Sequence, residues 1–261
     1  APRSQGKVMS WVACKGGSGA TFLAGNFAYA LAESGKKRVA VIDLNLQFGD
    51  ACLFLSDQRP QTTLADVVKQ IHRLDGAFLA SSMMQVTPNL HVLAAPESVE
   101  EVALVKPEHL DTLITVASSY YDYIVLDVGR NLDALSLRAL DRSELIFMVI
   151  QLTLPFIRDC KRMAQVMANL GYNSGKLRLV INRLEKGGDI TVANAESALG
   201  LKAFRTVPNS YAAVAASVNQ GVPIVKLAPR DPVARALEEM ASELEPAARP
   251  VAKRGFFFNR A

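Results

Sequence analysis

The stretch WVACKGGSGATFLAGN, residues 11–26, decides the fold of this 261-residue chain. An apolar run at residues 8–13 meets three glycines, Gly16, Gly17 and Gly19, and a helix-forming segment follows them. Glycines let the backbone wrap with its N–H groups pointing inward, and the N-terminus of a helix adds a favourable potential for an anion. The order of strand, glycine-rich turn and helix therefore predicts a phosphate-binding loop.

The loop differs from the usual pattern GxxxxGK[ST] at one position. Ala20 stands where the phosphate-binding lysine belongs, and a lysine occurs earlier, at Lys15. Losing that charged contact removes about 1.5–3 kcal/mol, which corresponds to about 10- to 100-fold in nucleotide affinity. The backbone N–H groups of residues 17–22 and a bound Mg²⁺ remain. We therefore expect weakened but retained binding of ATP or ADP, and a larger loss of hydrolysis.

The composition favours one large globular domain, because 50% of the residues are hydrophobic and 21% are charged. The net charge of +4 is mild, and residues 246–261 hold much of it, so DNA is not expected as a partner. No apolar run reaches the roughly 18 residues that span a bilayer. The three cysteines lack the spacing of a disulfide framework or a zinc site, which indicates a reducing cytoplasm.

Apolar runs alternate with segments of helical spacing along the whole chain. This alternation predicts an α/β fold with a mainly parallel, twisted sheet that is flanked by helices on both faces. Met83 and Met84 are expected in a core-facing helix. The predicted strands are residues 7–13, 38–44, 90–94, 123–128, 144–151, 177–182 and 203–207. The predicted helices are residues 21–33, 63–73, 107–119, 132–140, 155–170, 192–199, 212–219 and 232–244. We expect a disordered N-terminal remnant at residues 1–6, one nucleotide-binding domain at residues 7–245 and a basic flexible tail at residues 246–261.

Three side chains are candidates to hold Mg²⁺ at the carboxyl edge of this sheet, where ligands bind in open α/β folds. Thr21 would offer its hydroxyl to the metal, or serve only as a helix N-cap. Asp127 ends an apolar strand, so it would hold Mg²⁺ directly or through water, or cap the following turn. Asp43 has the same placement and would bind metal-bound water or fix the next loop by structural hydrogen bonds. Arg130 either swings toward the phosphates or stays an exposed loop arginine.

The segment KGGSGAT, residues 15–21, resembles the deviant Walker A loop of the MinD/ParA ATPases, KGGxGK[ST]. In that family the early lysine reaches across a sandwich dimer to the partner's nucleotide, and the resemblance assigns this catalytic role to Lys15. Residues 42–45, IDLN, resemble the switch I pattern DxD with Asn45 in place of the aspartate that positions the attacking water. Residues 125–127, VLD, resemble the Walker B motif, which gives Asp127 its catalytic role.

The resemblance also implies the residues that contact the nucleotide. Asn182 and Arg183, in VINR, match the asparagine that reads adenine in the family. Residues 207–209 resemble the later loop that encloses the base, and residues 219–223, NQGVP, match an NQGxP segment. The implied nucleotide contacts are Lys15, Gly16, Gly17, Ser18, Gly19, Ala20, Thr21, Phe22, Asn182, Arg183, Val207, Pro208 and Asn209, and the implied metal ligands are Thr21, Asp43 and Asp127.

Within this family, three stretches look like the ATPase domain of the CpaE/TadZ proteins, which help to localise and assemble the Tad (Flp-type) pilus secretion machinery. These stretches are residues 43–51, 151–159 and 207–223. Full-length members often carry a receiver-like domain before the ATPase domain.

That likeness implies an atypical P-loop ATPase in the cytoplasm, at the pole or the inner membrane face. ATP would promote a homodimer, hydrolysis would be slow or absent, and pilus assembly proteins would be partners. The end GFFFNRA could add a peripheral membrane contact. Two alternatives stay open: an active ParA/MinD-type ATPase for DNA partition or division-site positioning, and a scaffold that has lost its nucleotide.

Overall fold

Eight strands form one sheet in the part of the chain that the structure, a computed structural model, describes, which is residues 5–244. The strands are β1 Lys7–Ala13, β2 Val39–Asp43, β3 Met84–Thr87, β4 Leu90–Leu93, β5 Tyr123–Gly129, β6 Leu145–Ile150, β7 Leu177–Leu184 and β8 Ala203–Pro208. Their order across the sheet is β3-β4-β2-β5-β1-β6-β7-β8. All neighbours are parallel except β3 and β4, which are antiparallel.

Helices cover both faces of the sheet, and each face has its own apolar core. The helices are α1 Ala20–Ser34, α2 Leu64–Lys69, α3 Gly76–Ser82, α4 Val99–Val102, α5 Pro107–Tyr120, α6 Ala134–Arg142, α7 Leu154–Asn169, α8 Val192–Leu199, α9 Tyr211–Gln220, α10 Ile224–Leu227 and α11 Pro232–Leu244. Helices α1 and α11 pack on one face, and α5, α6 and α7 pack on the other. The predicted fold class is confirmed. Within residues 5–244, no helix combines the length and apolar character needed to cross a membrane.

Strand β1 supplies side chains to both cores, because successive residues of a strand point to opposite faces. Met9 and Trp11 belong to the core under α1, whereas Val8 and Val12 belong to the other. Trp11 is fully buried and stacks on Phe147 of β6, with ring centroids 4.5 Å apart. This aromatic packing lies directly beneath the helix that follows the glycine loop.

The prediction that Met83 and Met84 belong to a helix is wrong. Met83 is the residue that follows α3, and Met84 begins β3, where it pairs with Val92 of β4. Only residues 88 and 89 separate β3 from β4, so the two strands form a tight hairpin. Such a short, half-buried strand lacks the continuous run of apolar residues by which the central strands can be predicted.

Both edge strands of the sheet are irregular. The β3–β4 register shifts between Gln85 and Thr87, and the β7–β8 register shifts at two points. Strand β8 also ends at Pro208, which has no N–H to donate. The edges are therefore poor templates for further strands.

The predicted chain boundaries lie at the margins of the described residues. Gly6, which we predict to lie in the N-terminal remnant, donates its N–H to the Ser118 carbonyl oxygen at 2.8 Å. Residues 1–4 and the predicted tail at residues 246–261 lie outside the described part of the chain. The domain limits stay predictions.

Candidate nucleotide-binding site

The glycine loop connects β1 to α1 in the conformation that the sequence predicts. Gly17 and Gly19 have φ values of +81° and +88°, a region that glycine enters without the steric cost of a Cβ. Gly19 precedes the first residue of α1, and its carbonyl oxygen accepts the Leu23 N–H at 3.0 Å. The helix begins at Ala20, so its free N–H groups are at the loop, where an anion is stabilised.

Two side-chain amides from neighbouring strands hold the loop. Nδ2 of Asn182, on β7, donates to the Ser18 carbonyl oxygen at 2.8 Å. Nε2 of Gln151, just after β6, donates to the Gly17 carbonyl oxygen at 2.8 Å. A Cβ built on Gly19 would lie 2.4 Å from Nδ2 of Asn182. The loop therefore needs glycine at this position both for its backbone angle and for the space that Asn182 occupies.

An open cavity of about 1040 Å³ lies over the loop at the carboxyl edge of the sheet. This volume lies just above the range of small-molecule sites, which is roughly 300–1,000 Å³. The residues of the loop and α1 start that line it are Gly16, Gly17, Ser18, Gly19, Ala20, Thr21 and Phe22. Phe48 and Phe54 add an apolar wall, and Arg130 and Arg183 add positive charge.

Asp127 is the strongest candidate to hold a metal ion. Its side chain is fully buried, and neither carboxylate oxygen makes a hydrogen bond of normal geometry within the described residues. Burial raises the pKa of this carboxyl, while the nearby Thr21 hydroxyl and Gly129 N–H favour its charged form. A buried carboxylate whose oxygens lack well-formed hydrogen bonds is costly unless a cation or donor completes its surroundings. The donor set of Asp127 and Thr21 therefore fits Mg²⁺.

Asp43 is placed beside Asp127 in the pairing of β2 with β5, but its oxygens already have partners. Oδ1 accepts the Asn45 N–H at 3.0 Å, and Oδ2 accepts the Ala51 N–H at 3.0 Å. Burial, followed by repulsion from Asp127, raises the pKa of the Asp43 carboxyl. The structure thus shows the hydrogen-bonding alternative, in which Asp43 fixes the loop after β2. Its role toward a metal stays a prediction.

The protein ligands alone are too few for a closed metal site. In residues 5–244, no group of three or more His, Cys, Asp and Glu side chains could hold a metal ion. Mg²⁺ keeps several waters and takes one or two protein oxygens together with substrate phosphates in many nucleotide sites. This arrangement matches Thr21 and Asp127 beneath a phosphate chain.

Lys15 is separated from the cavity of its own chain. Its Nζ lies 3.3 Å from Oδ2 of Asp159, on α7, and the side chain is 40% exposed. Lys15 is absent from the cavity wall, unlike the glycines that follow it. The contact across a dimer that the family resemblance implies for Lys15 stays a prediction.

The predicted base-binding residues fall into two groups. Arg183, Pro208 and Asn209 line the cavity. Val207 does not line it, because its side chain is fully buried in the core of the α1 face, and the nucleotide contact predicted there stays a prediction. The alternation of side chains along β8 sends Val207 inward, whereas the residues after the strand reach the cavity.

Asn182 lines the cavity but uses both ends of its amide within the protein. Besides the contact of Nδ2 with Ser18, its Oδ1 accepts the Arg183 N–H at 2.9 Å. This second bond accompanies a φ of +51° at Arg183, which is uncommon for a residue other than glycine. The geometry makes Asn182 a support for the loop, and adenine recognition by this side chain stays a prediction.

Several cavity residues were not singled out in the sequence as site residues. They are Phe48, Asp50, Phe54, Gln151, Leu152, Thr153, Glu185, Tyr211, Val214, Val218 and Asn219. The position of Gln151 could have marked it as a site candidate, since it is a polar residue at the carboxyl end of a buried parallel strand. No such position marked Phe54: it packs edge-on against Phe22, with ring centroids 6.1 Å apart, only because the loop after β2 folds over α1.

Comparison with known proteins identifies the family to which this glycine-loop fold belongs. A family model described as an AAA domain matches residues 6–171, which is more than half of the chain. The chain belongs to this AAA domain family. Its relatives include MinD proteins and a ParA family ATPase of 26–28% identity, which place it within the MinD/ParA superfamily. The resemblance of the loop at residues 15–21 to the MinD/ParA pattern is thereby confirmed at the level of the superfamily.

Relatives of this MinD/ParA chain cover most of its length. The septum site-determining protein MinD of Thermotoga maritima is 26% identical over 225 residues, which are 84% of this chain and 81% of that protein. A ParA family ATPase from Chlorobium tepidum is 26% identical, with a TM-score of 0.88 over 93% of this chain and all of the other. The MinD of Pyrococcus horikoshii, solved as a complex with Mg-ADP, shares the fold at 23% identity and a TM-score of 0.79, over 92% of this chain and 96% of the other.

Proposed function

We propose that this MinD/ParA chain is an ATP-binding localisation and assembly factor of a Tad (Flp-type) pilus secretion system, with ATP-promoted dimerisation and weak or absent hydrolysis. One observation carries the proposal: a complete glycine loop opens on a large cavity, but Ala20 occupies the lysine position. The binding of Mg-ADP by a MinD of the same fold supports a magnesium nucleotide as the ligand.

The cavity is better equipped to hold a nucleotide than to cleave one. The N–H groups of residues 17–22 would bind the phosphates, and Thr21 and Asp127 would hold Mg²⁺, which spreads the phosphate charge when bound. Cleavage also needs charge stabilisation at the transition state and an oriented water. Ala20 cannot supply the charge, and Asn45, whose Nδ2 donates to the Phe48 carbonyl oxygen at 2.9 Å, has no carboxylate for the water.

A homodimer across the nucleotide would use Lys15. The ion pair of this side chain with Asp159 is partly exposed, and such pairs contribute only about 0–1 kcal/mol. Lys15 can therefore exchange Asp159 for the phosphates of a partner chain at little cost. ATP then acts as a ligand that selects the dimer, and partner binding shifts with nucleotide concentration.

The assignment to a pilus system is supported by the three stretches that resemble CpaE/TadZ proteins. Each of the three, residues 43–51, 151–159 and 207–223, contributes side chains to the wall of the same cavity. We propose the pilus assembly machinery as the partner and the cytoplasmic side of the inner membrane, or the pole, as the location. The peripheral membrane contact proposed for GFFFNRA falls outside the described residues.

The names of the relatives favour a second function. Several are septum site-determining MinD proteins, and one solved relative is a ParA family ATPase. An active ATPase for division-site positioning or DNA partition would need hydrolysis at the rate of such proteins. Ala20 and Asn45 argue against that rate, and for this reason we place this function second.

Calorimetric titration with ATP and ADP, with and without Mg²⁺, tests the proposal when combined with the mass in solution. We expect ATP to bind and to double the mass, and Lys15→Ala to keep binding while losing the mass change. Single-turnover hydrolysis should be slow in the wild type. Rapid hydrolysis that membranes or DNA stimulate would support the second function, and the absence of any nucleotide binding would leave a scaffold. Pull-down of pilus assembly proteins only in the presence of ATP would support the pilus role.

A further inference from the structure

We propose that Arg130 supplies, within one protomer, the positive charge that the loop lacks at Ala20, by binding the terminal phosphates of ATP. This inference rests on the ATP binding proposed above and deepens it by naming the side chain that contacts the phosphate chain. It differs from the role proposed for Lys15, which acts only across a dimer.

The turn at the end of β5 brings Arg130 to the glycine loop. Gly129 has a φ of +71°, and a Cβ built on it would lie 3.3 Å from Oδ1 of Asn45. Glycine thus permits a sharp turn that a larger residue would strain. Beyond this turn, Nη1 of Arg130 lies 3.9 Å from the position that a Cβ on Gly16 would occupy. The guanidinium therefore lies beside the segment that would wrap the phosphates.

The Arg130 guanidinium is available for a ligand. The side chain is exposed and lines the cavity, and within residues 5–244 it has no ion pair or hydrogen bond. Among the described residues of the cavity wall, the only other cation is Arg183, which lies at the end of β7 beside the predicted base-binding residues. Lys15 is held by Asp159 in the single chain. Arg130 is thus the free cation at the phosphate end.

Arginine has the chemistry that this position requires. Its guanidinium is planar, stays charged and presents paired donors that match phosphate oxygens. An arginine supplied by the same chain stabilises the phosphate charge in some P-loop NTPases. Because Arg130 follows Asp127 by three residues, one turn would bring both the metal-holding carboxylate and the phosphate-binding cation to the loop.

Titration of the full chain with ATP and adenosine in the presence of Mg²⁺ tests the inference. We expect Arg130→Ala to weaken ATP binding by about 10- to 100-fold, the effect of losing one charged hydrogen-bonding partner. Adenosine has no phosphates, so its affinity should stay within about twofold of the wild type. In an Ala20→Lys background the restored lysine replaces the missing contact, and Arg130→Ala should then cost less than about threefold, because the two charges act on the same phosphates.

Matched controls separate this role from general electrostatics and from the dimer. Lys161→Ala removes an exposed cation on α7 and should leave ATP affinity unchanged. In a Lys15→Ala background, which we expect to be monomeric, Arg130→Ala should keep its full effect.

Equal losses for ATP and adenosine, or the same ATP loss with lysine and with alanine at position 20, would overturn the inference. If Ala20→Lys does not fold, as judged by circular dichroism, partial rescue of ATP affinity by Arg130→Lys decides instead. A wild type that binds no ATP would overturn the proposed function as well. Wild-type ATP binding that Arg130→Ala leaves intact would overturn only the role of Arg130.

Discussion

The contact between Gly19 and Asn182 leads to a quantitative prediction about the loop. Gly19→Ala places a Cβ on a backbone with φ +88°, and left-handed backbone costs a residue other than glycine about 1–2 kcal/mol. The new Cβ would lie 2.4 Å from Nδ2 of Asn182, so the amide must leave the Ser18 carbonyl oxygen. Losing that buried bond adds about 1–3 kcal/mol. We expect Gly19→Ala to lower the free energy of unfolding by about 2–5 kcal/mol in total.

The substitution Asn182→Ala separates these two contributions. In the Asn182→Ala background the amide is absent, so an alanine at position 19 contacts no side chain there. Its only cost is then the free energy of the left-handed backbone. The double variant should therefore be more stable than the sum of the two single effects predicts, by about 1–3 kcal/mol.

Urea denaturation of the four proteins, followed by the fluorescence of Trp11, measures this coupling. Trp11 is the single tryptophan of the chain and is fully buried, so its emission reports the loss of the core. Asn209→Ala is the matched control, because Nδ2 of Asn209 donates to Glu185 and makes no contact with Gly19. The effects of Asn209→Ala and Gly19→Ala should add. If the effects of Gly19→Ala and Asn182→Ala also add within about 0.5 kcal/mol, the hydrogen bond from Asn182 to Ser18 does not stabilise the loop.

Three further predictions follow from the buried groups of the site and the core. Burial raises the pKa of both Asp127 and Asp43, so their ionisation opposes folding above the ordinary carboxyl pKa of about 4, and the penalty grows as the pH rises. Nucleotide-free Asp127→Asn should therefore gain stability over the wild type between about pH 4.5 and pH 8 in urea melts, and an equal difference at both pH values would contradict this sign. Asn182→Ala should weaken ATP and GTP binding alike in calorimetry, because it loosens the loop, whereas a loss confined to ATP would support base reading. Phe147→Leu should lower the free energy of unfolding by about 1–3 kcal/mol and change the emission of Trp11, which stacks on that ring; an unaltered spectrum would refute the stacking.

The central strands could be predicted from the sequence because each is covered on both faces. The apolar run at residues 123–128 predicts a strand that the structure places at Tyr123–Gly129. Strand β2, predicted at residues 38–44, is observed at Val39–Asp43 with every residue buried. Continuous burial gives such segments an unbroken apolar signature. β3 has no such signature, since its four residues are half-buried or exposed and it pairs on one side only.

Some features of the candidate site could likewise be predicted from local sequence, and others could not. The placement of Thr21 and Asp127 at the carboxyl edge of the sheet could be predicted from local patterns. Thr21 ends a glycine loop, and Asp127 is the acid at the end of an apolar strand. The hydrogen bonds by which Asn182 and Gln151 hold the loop could not be predicted, because these residues follow the loop by more than 130 positions and reach it only through the order of β1, β6 and β7 in the sheet. The local sequence around these residues does not indicate which strands are neighbours in the sheet.

The irregular edges of the sheet have a consequence for the localisation role proposed above. A sheet with straight, regular edges offers unpaired backbone groups to other copies, and the hazard rises with local concentration. Here β3 is four residues long with a shifted register, and β8 loses its register twice before it ends at Pro208. At the high local concentration that the proposed role implies, edges of this kind would disfavour the pairing of sheets from different copies into fibres.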